Sequence, residues 1–417
     1  VHDGSTAGGF KIGTGDFPTG TANVALGNTA LDDLDAVSPG GNNVAVGHNA
    51  LTANTTASFG VAVGSGALAA NTTGANNVAV GSGALATSTT ATDNTAVGYQ
   101  ALNANTSGAD NVAVGDEAGH DISTGSRNVI VGSKAGDAAT TTDDTTLVGY
   151  GAGGGAIMTG HDNVAVGANA LSVATSGASN VAIGKDAGLA ISTGSNNVAV
   201  GREALKTEDG NGNNVAIGTE ALKVQNAGAN AENVAVGHLA GLSVTTGGEN
   251  VIVGATAGDA YTIGEKNVAI GHNALGADTV GSRNVAVGWD ALGSQVAAGG
   301  SINNYYNTSM GANSGFTLNG GYYNTFVGGL CGDGTDDGLN NTAMGFSALR
   351  ANAGNSNTAI GESALTSTTG EKNTAIGAGA ANTITSGTKN TVVGMYTGNQ
   401  DNVDIRTGTS NIAISDG

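Results

Sequence analysis

The chain has 417 residues, 73 of them Gly and 2 Pro, with 11% charged and 4% aromatic residues and a formal net charge of −20. So few large apolar side chains exclude a wide globular interior and leave a thin core lined by Val, Ala and Leu. The acidic balance lacks the basic footprint of a phosphate-binding surface, and no run of about 18 apolar residues exists to cross a membrane as a helix, so neither nucleic acid nor a membrane span is expected.

Residues 1–20 are irregular, rich in Gly and Thr, and hold Pro18. We read them as an N-terminal cap or attachment segment. The chain begins at Val1, which suggests a processed product and fits export.

From residue 21 onward one motif recurs. Asn43-Val44-Ala45-Val46-Gly47 returns, with small variations, 22 times by its closing glycine, from Gly27 to Gly394, at a modal spacing of 17 residues. A fixed short period sustained along a chain is the mark of a solenoid whose repeats bury their faces only against neighbours. The expected fold is therefore all-β, a parallel β-solenoid of about 22 coils, roughly 105 Å long at ~4.8 Å per coil.

Four before the glycine stands Asn in 20 of 22 copies, the exceptions being Gly60 and Thr145. Stacked coils would place Asn43, Asn77, Asn111, Asn197, Asn284 and their equivalents one above another, each amide able to donate to the next. An asparagine ladder is expected.

The residue just before the glycine is always Val, Ile, Leu or Met, which reads as a strand position facing an interior. Four and seven after the glycine, volumes trade: Leu51, Leu85, Leu102 and Leu205 go with small or polar partners, whereas several Gly positions go with Ile122, Ile191, Val244 or Tyr261. Such compensation predicts one shared cavity. The residue between the two branched ones is apolar where an isolated strand would be polar, as at Ala45, Ala79, Ala113, Ile130, Leu147, Ile252 and Phe326. With the branched pair taken as inward, these residues are expected to meet another chain.

The regular solenoid is placed at 21–288 and a Thr- and aromatic-richer continuation at 289–417. There the spacing opens once to 23 residues, and the residue three before the glycine becomes Thr in every later copy, from Thr308 to Thr391. That series suggests a position less dry than its neighbours. The aromatic zone supplies the candidate receptor-binding residues Trp289, Tyr305, Tyr306, Phe316, Tyr322 and Tyr323, since such rings offer a flat apolar face with a polar edge; filling space is the competing account. The last copy, Asn411 to Ser415, reads as an open strand edge that invites another chain.

No chemistry-bearing motif survives its context. The glycines of 149–155 lie in the repeat register without a βαβ unit. Asp209 to Asn213 and the loop of Asp333, Asp336 and Asp337 alternate oxygen ligands but lack a later bidentate Glu, and read as solvated turns. His48, His238 and His272 each follow a repeat glycine without metal-ligand spacing and read as exposed turn residues. Cys331, the only cysteine, permits no intrachain disulfide and reads as a small packed residue. No cofactor, no metal and no catalytic site are expected.

The Asn-Val-Ala-Val-Gly-x-x-Ala pattern resembles the Ser/Asn-Val-Ala-Ile-Gly repeat of the YadA-like heads of trimeric autotransporter adhesins, and similar Gly-rich repeats of phage tail fibres. The resemblance spans roughly residues 21–415. It implies a left-handed β-roll, a homotrimer with the residue between the branched pair at the threefold axis, and a role in attachment at a cell surface or on a virion. The expected function is thus a non-enzymatic, extracellular structural and adhesive fibre that binds a glycan or protein receptor. A subunit that polymerises end to end into a filament is the first alternative, and a glycan depolymerase the second.

Overall fold

The computed structural model describes residues 10–12, 22–33, 40–228, 231–296, 303–400 and 403–415. Among them every regular element is a strand, and all but one pair of strands belong to parallel solenoid ladders with a roughly 17-residue period. No helix is long and apolar enough to cross a membrane. The chain divides into two compact units, Val1–Asn211 and Gly212–Gly417.

In the first unit, three-residue strands from Phe10–Ile12 to Val198–Val200 each pair in parallel with the next, at equivalent positions. Val112, Ala113 and Val114, for example, face Val129, Ile130 and Val131 one coil on. Apart from Phe10–Ile12, the expected cap over 1–20 lies outside the described residues. In the second unit the same ladder runs from Val215–Ile217 to Ile412–Ser415. Its 23-residue spacing carries an added parallel pair, Gly281–Ser282 with Asn303–Asn304. A small antiparallel pair, Asn399–Gln400 with Val403–Asp404, sits before the last strand.

Each coil turns through left-handed residues two and four after the glycine, as at Asn49 and Leu51 with φ of 56° and 52°. The branched strand residues and the left-handed corners fix which side chains enter the coil, and the outcome reverses one expectation. Ala45, Ala79, Ala113, Ile130, Leu147, Ile252 and Phe326 are 0% exposed within the single chain, so they cannot be the contact with another chain. The residues on either side of them point outward and are partly or well exposed, Val112 and Val114 at 37% and 38%. Side chains alternate along a strand, so when the middle of three enters the coil both flanks must leave it. The late Thr series, three before the glycine, shares this outer face and is indeed partly hydrated.

The shared cavity is confirmed in detail. Gly119 stands where a Cβ would be 3.3 Å from Ile122 Cδ1 and 3.0 Å from Ile130 Cδ1, and Gly258 where one would be 2.7 Å from the Tyr261 ring. A Leu at either place would need the volume that Ile122 or Tyr261 already holds.

The asparagine ladder is present in both units and is fully buried. Asn94 donates its backbone N–H to Asn77 Oδ1 at 3.1 Å, Asn111 to Asn94 at 3.0 Å, Asn197 to Asn180 at 3.0 Å, and Asn284 to Asn267 at 2.9 Å. Most of the Nδ2 groups also tie a carbonyl of the following coil, as Asn94 does with Gly108 O at 2.9 Å and Asn43 with Ala57 O at 3.0 Å, whereas those of Asn284 and Asn341 make no hydrogen bond among the described residues.

A second buried polar column lies seven after the glycine. Asn54, Asn71 and Asn105 each accept from the backbone N–H three residues on and donate back to that residue's carbonyl. Glu208 takes this place in its coil, accepts from Asn211 N–H at 3.0 Å, and leaves Oε2 without a hydrogen bond. Burial pushes its carboxyl above the usual range. A carboxyl whose folded pKa lies above its unfolded value supports the fold below the unfolded value and loses that support as pH rises through the folded one. Glu208→Gln is therefore expected to raise the melting temperature at pH 7 and to lose this advantage as the pH falls toward about 4. Paired thermal melts from pH 4 to 8 check it; a constant difference would place the effect in packing rather than charge.

Candidate functional site

The six aromatic candidates divide by their place in the coil. Tyr306 and Tyr323 both stand five before their glycines, in left-handed conformation with φ of 50° and 63°. Tyr323 N–H donates to Tyr305 O at 2.8 Å and Asn340 N–H to Tyr322 O at 3.2 Å, a backbone ladder that sets these residues one coil apart. The left-handed corner turns the two rings outward, 47% and 51% exposed, with centroids 5.8 Å apart. Tyr322 packs edge-on against Tyr323 at 4.9 Å and is itself 37% exposed.

Arg283 holds the same place one coil earlier. Its guanidinium lies 5.6 Å from the Tyr306 ring centroid, and its Nε donates to Asn304 Oδ1 at 2.8 Å. Guanidinium over an aromatic face is a favourable electrostatic pairing that leaves the remaining N–H donors free to meet a ligand. Sequence reading passed over Arg283; its register, five before Gly288, would have found it. From Lys266 to Lys389 this place in the coil carries no carboxylate, in a chain whose net charge is −20. Lys266 and Lys372 are balanced by Glu249 at 3.2 Å and Glu371 at 2.9 Å, whereas Arg283 has no ion pair among the described residues.

The other three candidates do not join this surface. Tyr305 is buried beside Val280, with Ile263 packed against them, so its reading as a receptor contact is corrected to packing. Phe316 is half-buried, its ring 3.1 Å from where Gly293 would carry a Cβ. Trp289, directly after Gly288, is 53% exposed and makes no ring contact among the described residues.

Among the described residues no three His, Cys, Asp or Glu side chains converge as a metal site would require. His48, His238 and His272 are exposed, as expected of turn residues. The Cys331 thiol is buried and pushed up to about 12 by that burial, which removes it as a nucleophile at neutral pH.

A second surface is larger than the first. In the first unit, eleven strands from Val24–Leu26 to Val198–Val200 present two outward flanks each, and only Thr95 and Thr146 among these 22 side chains are polar. The result is a parallel-rowed, largely apolar face with one row of side chains per coil.

These features define a parallel β-solenoid repeat protein with an apolar outer face and an exposed tyrosine–arginine column. No protein-family model matches the chain, and no curated protein sequence matches it.

Proposed function

We propose that this protein is a structural and adhesive fibre protein, non-enzymatic and extracellular, at a cell surface or on a virion. Its copies associate through the outer Val and Ile face, in threes as the repeat resemblance implies, and the tyrosine–arginine column contacts a receptor. The observation that carries this reading is the outer face itself. At roughly 30 to 45 Å² of exposed apolar surface per partly exposed branched side chain, the 20 apolar flanks of the first unit amount to about 600 to 900 Å². That is what one partner contributes to a standard protein interface, and it exceeds the few hundred Å² that a monomer usually leaves open in one patch.

A second copy is the partner that fits such a surface over many coils. Rows spaced ~4.8 Å apart interdigitate only with rows of the same spacing, as paired sheets do in dry zippers. Within the second unit the tyrosine column stands at a coil corner rather than on the strand flanks.

Sedimentation equilibrium over a range of concentrations tests the proposal. A discrete species of three chains is expected, and Val112→Glu combined with Val129→Glu should shift it to a monomer with unchanged circular dichroism. Burying two carboxylates in an apolar seam costs several kcal/mol per site, enough to dissociate an ordinary interface. A wild-type chain that stays monomeric throughout would refute the assembly, and an open-ended series of masses would favour the end-to-end filament instead.

A further inference from the structure

From the tyrosine–arginine column we infer that Arg283, Tyr306, Tyr322 and Tyr323 bind an acidic polysaccharide, laid along the column with successive sugar rings on successive coils. This rests on the adhesive reading above and names the ligand class.

Three observations select that class. The stacking groups are repeated: Arg283, Tyr306 and Tyr323 occupy one place in three consecutive coils, so their spacing is that of the ladder, ~4.8 Å per step. That step is about the length of one sugar ring, and a linear chain of rings can meet each group in turn. The faces are amphipathic: Tyr rings accept the apolar C–H face of a sugar, and their hydroxyls and the exposed Asn304 and Asn340 amides can reach its hydroxyl groups. The charge is positive: Arg283 has no carboxylate partner among the described residues, and its guanidinium, already stacked on Tyr306, presents a planar fork suited to a carboxylate.

The platform is open rather than enclosed, which suits a polymer that passes over it more than a small molecule that must be surrounded. Single-stranded nucleic acid also offers rings and negative charge. The net charge of −20 opposes its dense phosphate backbone over the length such binding spans, whereas a uronate chain carries one charge per acidic ring.

Calorimetric titration of the full chain tests the inference, using a galacturonate hexamer, a neutral glucose hexamer and a single-stranded oligonucleotide as probes. The galacturonate hexamer is expected to bind and the other two to bind at least about tenfold more weakly. Tyr323→Ala should weaken the hexamer by about tenfold or more, as loss of a central aromatic contact does. Arg283→Gln should abolish the preference for the acidic over the neutral hexamer, and Arg283→Lys should restore part of it. Both positions are at the surface, so folding is checked simply by unchanged melting. Equal binding of both hexamers, tighter binding of the oligonucleotide, no binding at all, or no effect of Tyr323→Ala would each overturn the inference.

Attachment of beads coated with the same proteins to polysaccharide-bearing surfaces separates the two levels of the argument. Beads that attach equally well with wild type and Tyr323→Ala overturn this site and leave the adhesive reading standing. Wild-type beads that attach to no surface overturn the adhesive reading itself.

Discussion

Gly132→Ala is expected to destabilise the first unit by at least about 4 kcal/mol, the upper tail of single-residue effects. Gly132 has φ of 137°, a backbone conformation that costs an L-residue about 1 to 3 kcal/mol. A Cβ there would also lie 2.5 Å from the carbonyl oxygen of Gly149, the equivalent glycine one coil on. Relief by separation is blocked, because Gly132 N–H donates to Val114 O and Gly149 N–H to Val131 O, both at 2.8 Å. The coils are therefore clamped at the point where the methyl group must go. Gly66→Ala is the control: its φ is 70°, nothing lies within 4 Å of the added carbon, and a loss of only about 1 to 2 kcal/mol is expected. Because repeat arrays need not unfold as one unit, hydrogen exchange of the Gly132 and Gly149 amides is a better readout than a global melt. Similar protection in both variants would show that the stacked glycines are replaceable.

That stack explains why the closing glycine recurs in every copy, something the sequence displayed but did not explain. The period, the strand positions and the asparagine ladder were legible because in-register stacking repeats each requirement coil after coil. The inward and outward sense of the strand was not. A three-residue strand allows one alternation only, and Val-Ala-Val reads as well with its valines inside as outside. The deciding signal was nevertheless in the chain. Where the middle residue grows to Ile130, Leu147, Ile252 or Phe326, the residue four after the glycine, in its own coil and the preceding one, is Gly. In the structure Gly136 faces Leu147 at 2.9 Å, Gly241 faces Ile252 at 3.1 Å and Gly315 faces Phe326 at 2.9 Å, measured to the Cβ each glycine lacks. Volume exchange of that kind is possible only inside one cavity, so the middle residue belongs to the core of its own coil.

The candidate site was legible to a similar degree and for a related reason. Aromatic enrichment pointed to the right stretch, but enrichment is a property of a segment and a surface is a property of a register. Tyr306, Tyr323 and Arg283 meet because they share one place in the coil; Trp289, Tyr305 and Phe316 occupy other places and part from them. In a solenoid, distance from the nearest repeat glycine is a better guide to neighbourhood than distance along the chain.

Asn111→Ala is expected to destabilise the first unit by about 3 to 5 kcal/mol, since it strands several buried groups at once. Asn111 Nδ2 donates to Asn94 Oδ1 at 3.0 Å and to Gly125 O at 2.9 Å. Its Oδ1 accepts from the N–H and the Nδ2 of Asn128, both at 3.0 Å. Alanine removes all four bonds, and the buried setting admits no replacement from solvent. The two natural interruptions show what repair requires. At Thr145 the missing amide is replaced by a pair of hydroxyls: Thr142 Oγ1 lies 2.8 Å from Thr145 Oγ1 and 2.7 Å from Gly160 O. Asn111→Thr alone should therefore be nearly as damaging as alanine, because Gly108 occupies the place of Thr142 and brings no hydroxyl. At Gly60 nothing repairs the gap; its N–H donates to Asn43 Oδ1 at 2.7 Å and the glycine passes no bond onward. Gly60→Asn is expected to stabilise by about 1 kcal/mol, the net worth of an added buried hydrogen bond. Its Cβ would stand 3.0 Å from Asn43 Oδ1 and 3.5 Å from Leu51 Cδ1, a close fit for the new side chain. Urea titrations of the four proteins decide the matter: a ladder that acts as a chain of bonds requires opposite signs at Asn111 and Gly60, whereas a ladder that only fills space would let alanine pass with a loss below about 1 kcal/mol.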